Sequence, residues 1–298
     1  MLDGVSRAGL LALRGLTLLE EFLFSEMTGE LVIKDCLELL PHLHVIAHKL
    51  TPYPHPHNPK NMQKIGEALS RIEAPCTLQL RQLWLFNTNT VLDKVSLPEL
   101  QVLELRGAIV MHPWLAGGVP NLTELHVRLF SQEPLLHILG HIGQQLQTLH
   151  VTIMHLHRVD SLLKLCPNLS ELRMKTTSGA EMSSQSGLDT HLKHLQTFEY
   201  SCIDGNLQPG LLLQILRLAP EMRSVDLDLA SWFDEDLKVL AELAEEGACM
   251  RRLEKFMVRC QLHLNQLGLV DKACASCIIN CPQLQVFSVR DLSYAVSS

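Results

Sequence analysis

Pro98-Glu-Leu-Gln-Val-Leu-Glu-Leu105 and Pro167-Asn-Leu-Ser-Glu-Leu-Arg-Met174 carry one pattern, apolar-x-x-apolar-x-apolar, and its recurrence decides the fold. Equally clear copies place Leu122, Leu125 and Val127, then Leu284, Phe287 and Val289, at the three apolar positions. Weaker copies begin at Leu19, Leu43, Leu80, Leu146, Leu195, Met222 and Leu253, which makes eleven. Their first positions are spaced by 24, 37, 20, 22, 24, 23, 26, 27, 31 and 31 residues. Self-similarity at such a period marks a solenoid.

The spacing has a direct structural meaning. Alternate side chains of a strand face opposite sides, so the fourth and sixth residues of each copy point inward together. One strand cannot bury that face alone; parallel stacking of neighbouring repeats builds a continuous core. A proline stands two positions before the first apolar residue in six copies, at Pro41, Pro98, Pro120, Pro167, Pro220 and Pro282. There it ends the preceding helix and sets up an extended strand. The intervening segments carry helical spacing, as in 160–166 and 236–244. Strand alternating with helix predicts a parallel sheet. The expected fold is an α/β solenoid of about eleven irregular repeats over 1–298, with the sheet on a concave face and helices on a convex one.

Cys166-Pro-Asn-Leu169, Cys281-Pro-Gln-Leu284 and the run from Phe233 to Ala241 leading into a strand add a more specific signal. With the eleven copies they resemble the leucine-rich-repeat family, and within it the ribonuclease-inhibitor-like branch with cysteine-containing repeats. The combination is similar to the repeat region of F-box/leucine-rich-repeat proteins, over roughly residues 19–289. That resemblance implies a substrate receptor whose partners include ubiquitin-ligase subunits. The family's Asn or Cys three residues after the last strand position is absent; Ala108, Phe130, Met154, Thr177 and Ile203 stand there. No F-box is visible, since the segment around Leu40–Leu50 is too short for its three helices and satisfies the repeat pattern instead.

Composition narrows the function. Apolar residues make up 47% and aromatics 5%, which suits a leucine-rich core. A net charge of −7 argues against general nucleic-acid binding, which needs a basic face. No stretch reads as membrane-spanning, and Asp3 with Arg14 argues against a secretory signal. Nine cysteines, scattered and odd in number, fit core positions in a reducing compartment, so a cytoplasmic or nuclear protein is expected. The sequons at Asn121 and Asn168 lie inside the repeat pattern and read as turn residues.

Candidate chemistry is sparse. No Gly-rich phosphate loop, nucleophile elbow or His-Glu-x-x-His is present, and Asp226 with Asp228 reads as a solvated strand face, so no enzyme is expected. Cys260, His263, Cys274 and Cys277 have zinc-like spacing, yet Cys274, Cys277 and Cys281 follow helical core periodicity, so neither metal nor cofactor is expected. Recognition of a protein is the remaining reading. Trp84, Phe86, Arg106, His126, Arg128, His150, Arg173 and Lys175 face outward on successive strands and form the candidate partner site. Aromatics beside arginines have hot-spot composition, and the cations suit an acidic partner. A proline-rich insertion at 51–60 is the one strong break in rhythm and is expected to be an extended surface loop. A stand-alone scaffold or inhibitor is the alternative, followed by an enzyme or metal protein.

Overall fold

The computed structural model describes residues 21–24, 45–48, 69, 76–86, 94–107, 119–155, 158–177, 192–202, 210–231, 234–246, 250–261 and 266–291. The 51–60 insertion and His263 lie outside the described residues. The chain divides into two compact units, Met1–Leu129 and Phe130–Ser298.

The first unit holds β1 (Glu21–Phe24), β2 (Val45–His48), the short β3 (Cys76–Thr77), β4 (Gln82–Phe86), the short β5 (Val95–Ser96), β6 (Val102–Arg106) and all but the last two residues of β7 (Glu124–Ser131). Strands β1, β2, β4, β6 and β7 pair in that order, all parallel, while β3 and β5 pair separately. Leu83, Leu103 and Leu125 are in register across β4, β6 and β7, and all three are fully buried. Gly107, with φ of 93°, turns the chain out of β6, a conformation that an L side chain adopts only with strain.

The second unit alternates strand and helix through most of its length. It contains α1 (Gln132–Ile142), β8 (Thr148–His155), α2 (Val159–Leu165), β9 (Glu171–Thr176), β10 (Thr197–Cys202), α3 (Leu211–Leu218), β11 (Ser224–Ser231), α4 (Asp234–Glu246), β12 (Lys255–Gln261), α5 (Leu267–Asn280) and β13 (Val286–Asp291). Strands β8 to β13 pair in chain order and all parallel. Leu149, Leu172, Phe198, Val225, Phe256 and Phe287 form one inward column, as the repeat pattern predicts. The first five are completely buried and Phe287 is half-buried, its ring stacked on Phe256 at 5.3 Å. Each such side chain stabilises by about 1.5–3 kcal/mol relative to exposure.

Two backbone devices recur with the sequence pattern. The first apolar residue of eight copies donates its N–H to the carbonyl three residues earlier, from Leu100 to Leu97 through Leu284 to Cys281. The prolines at 98, 120, 167, 220 and 282 therefore occupy the second position of a one-bond turn, where their fixed φ is already correct. Helices α2, α3 and α5 end two residues before such a proline, as expected, but the proline shapes a turn ahead of the strand, not its extended start. The second device is a shared acceptor. The Gln147 carbonyl takes N–H bonds from Ser170 and Glu171, and the same arrangement repeats at Ser170, Gln196, Arg223 and Glu254. In the first unit Arg81 and Gln101 do likewise.

Side chains tie neighbouring repeats at matching places. Asn168 donates from Nδ2 to the Gln144 carbonyl at 2.7 Å, and Asn121 to the Pro98 carbonyl at 2.7 Å. This accounts for both sequons as structural turn residues. Gln132 clamps the backbone of Arg158, donating to its carbonyl at 2.7 Å and accepting its N–H at 3.1 Å. Buried Asp236 accepts the Gly210 N–H at 2.7 Å ahead of α3. No helix among the described residues is long and apolar enough to cross a membrane.

Candidate functional site

Parallel strands in register line up their outward residues as well as their inward ones. Across β8 to β12, one outward row runs His150, Arg173, Glu199, Asp226, Met257, and the next runs Thr152, Lys175, Ser201, Asp228, Arg259. Most of these residues line a shallow depression of about 280 Å³, with His150, Arg173, Lys175, Glu199, Asp226 and Arg259 on its walls. The sheet spacing of about 4.8 Å sets the distance between these groups.

Most charges on this face are already matched. Glu171 accepts from His150 at 2.9 Å and from Arg173 at 2.5 Å, and Arg173 also lies 3.5 Å from Glu199. Burial pushes the Glu171 carboxyl up, but the bonds from His150 and Arg173 outweigh it and hold the group below its ordinary range. Farther along, Asp226 takes Lys255 at 3.0 Å and Arg259 at 2.9 Å, and Arg259 reaches Asp228 at 3.9 Å. Among the described residues, Lys175 is the cation of the depression without a carboxylate partner, and it is exposed between Thr152 and Ser201 in the register.

The residues of the sequence-derived site fall in both units. His150, Arg173 and Lys175 come together in the second unit. Arg106, His126 and Arg128 lie in the first unit, where Arg106 stands in register with Arg128 and Glu104 with His126. Arg106 pairs with Glu104, and His126 pairs with Glu124 at 2.6 Å. Trp84 and Phe86 stand on β4 in register with Glu104 and Arg106, and their side chains lie outside the described ones. What sequence alone did not reveal is the pairing, because Glu171 serves His150 and Arg173 on two strands at once. A signal was available: Glu104, Glu124 and Glu171 each stand two residues before Arg106, His126 and Arg173 on the same strand face.

The cysteines fit packing. Cys166, Cys202, Cys260, Cys277 and Cys281 are buried free thiols. Burial pushes the Cys166 thiol up to about 12, and the hydrogen bond with Cys281 together with burial pushes Cys277 up as well. No family model and no curated protein matches the chain.

Proposed function

We propose that this chain is a leucine-rich-repeat protein, a horseshoe of about eleven irregular repeats, that binds an acidic protein partner on the outward face of its sheet. The observation that carries this reading is the depression in which Lys175 has no carboxylate partner among the described residues while Arg173 and Arg259 are matched. A matched charge exchanges one partner for another on binding; an unmatched one gains a partner outright. The hydroxyls of Thr152 and Ser201 on the flanking strands suit the second oxygen of a carboxylate.

Affinity purification with the full chain, followed by quantitative binding to the captured partner, tests this. Lys175→Glu is expected to weaken capture about tenfold or more, while Lys238→Glu on the exposed side of α4 leaves it unchanged. Capture that survives Lys175→Glu sinks the assignment. A role in ubiquitin ligation rests on the sequence resemblance, and co-purification of ligase adaptor and cullin subunits is the outcome that would support it over a stand-alone scaffold.

A further inference from the structure

We propose that the strand–helix pair at the end of the sheet, β13 with α5, is a self-association surface on which a second copy of this chain seats about a twofold axis. Its residues are separate from the depression on β8 to β12, and it does not depend on the binding role assigned there.

Strand β13 stands last in the described sheet and pairs only with β12 among the described residues. Val286 donates its N–H to the Glu254 carbonyl on the β12 side. Successive backbone groups of a strand alternate sides, so those of Phe287 and Val289 are directed at the open edge. Side chains are open there too. Leu253, Phe256 and Val258 are buried, yet Leu284, Phe287 and Val289, their counterparts one repeat later, keep intermediate exposure. Of the five large apolar side chains exposed among the described residues, four belong to this pair: Leu267, Ile278 at 65%, Ile279 at 77% and Val286.

Helix α5 packs on α4 and buries Val270, Ala273, Ser276 and Cys277. Its exposed face carries Leu267, Asp271, Lys272, Ile278 and Ile279. Among the described residues neither Asp271 nor Lys272 is in an ion pair. Elsewhere this fold covers such a surface with the next strand and helix, and the matching end of a second copy offers both at once. An extended peptide added at β13 leaves Ile278 and Ile279 in water. A twofold axis through Ser288 pairs β13 antiparallel with its copy and sets Phe287 opposite Val289 of the second copy, twice. The same axis turns α5 antiparallel to its copy. Leu267 at one end of the helix then meets Ile279 of the second copy, and Asp271 of each copy comes beside Lys272 of the other. Opposite charges that meet twice fix the register, while the apolar side chains supply the stabilisation.

Sedimentation equilibrium of the full chain tests this. Wild type is expected to reach twice the chain mass as concentration rises. Ile278→Glu/Ile279→Glu is expected to weaken dimerisation about tenfold or more, with an unchanged circular dichroism spectrum. Asp271→Lys sets like charges across the axis and is expected to weaken it several-fold. Adding Lys272→Asp to that chain is expected to restore it, because the exchanged charges again meet their opposites. Met154→Gln, at an exposed apolar residue on β8, is expected to behave as wild type does. A monomer at every concentration overturns the proposal and leaves residues 292–298 or another protein as the cover. A dimer that survives the double isoleucine variant, or that the charge exchange fails to restore, overturns it equally; if the isoleucine variant unfolds, the charge series decides by the same criterion.

Discussion

The two faces of the sheet in the second unit obey different rules. On the inward face Leu149, Leu172, Phe198, Val225 and Phe256 are all completely buried, and each is held by the residue before and after it in the column. On the outward face the matching row reads His150, Arg173, Glu199, Asp226, Met257, with no constancy of size, charge or polarity. The inward column answers only to packing density, which every repeat must satisfy alike. The outward row answers to its cross-strand neighbours and to whatever docks there. A substitution should therefore be judged first by the face it falls on.

The largest effects belong to the inward side. Phe198 is fully buried at the centre of the column, and Phe198→Ala removes a ring from a site flanked by Leu172 and Val225. The expected loss is about 3–5 kcal/mol in urea unfolding; a loss below about 1 kcal/mol would mean that the column is not the core. Next comes Gly143, just after α1. A Cβ there would lie 2.3 Å from the Leu165 carbonyl oxygen at the end of α2. Backbone cannot yield as a side-chain tip does, so Gly143→Ala is expected to cost about 1–3 kcal/mol. Gly140, three residues earlier, would place its Cβ in open space, and Gly140→Ala is expected to stabilise by about 0.5–1 kcal/mol. Opposite signs for two glycines one turn apart would locate the contact between adjacent repeats.

How much of this was legible in the sequence follows from the same contrast. Strand period and apolar spacing determine which residues point inward, so the column from Leu149 to Phe256 could be written down from the repeat alone. Helices α2 and α4 fell where the 160–166 and 236–244 spacing placed them. The role of the prolines was half legible: helix termination follows from the missing N–H, but the turn bond depends on the residue three before, which differs from copy to copy. On the outward face the sequence identified His150, Arg173 and Lys175 as neighbours but not their partners. A long side chain chooses among several carboxylates within reach, and that choice depends on rotamers, not on register. Gln132 clamping Arg158 across 26 residues was likewise hidden, since nothing in either residue's neighbourhood announces the other.

A smaller effect sharpens the boundary between the faces. Asn168 is exposed, yet its amide bonds the Gln144 carbonyl of the preceding repeat. Asn168→Ala is expected to cost about 1 kcal/mol in chemical denaturation. Asn168→Asp cannot donate this bond and is expected to cost at least as much. No cost in either variant would show that exposed ties between repeats do not contribute.

The smallest effect lies on the outward face and depends on pH. Glu171 receives His150 and Arg173, and these bonds hold its carboxyl below its ordinary range despite partial burial. A group with a lowered folded-state pKa stabilises above its unfolded value of about 4.3 and loses that contribution as pH falls through the folded value. Glu171→Gln is therefore expected to lower stability at pH 7 by less than about 1 kcal/mol, because the pairs are partly solvated. The gap to wild type should close only as pH falls below the ordinary carboxylate range and through the lowered folded-state value, where wild-type Glu171 also becomes neutral. Added salt should narrow the gap at pH 7, since screening weakens the pairs and leaves the inward column untouched. A deficit that persisted in acid would mean that Glu171 acts through packing, and the distinction between the two faces would then fail at its centre.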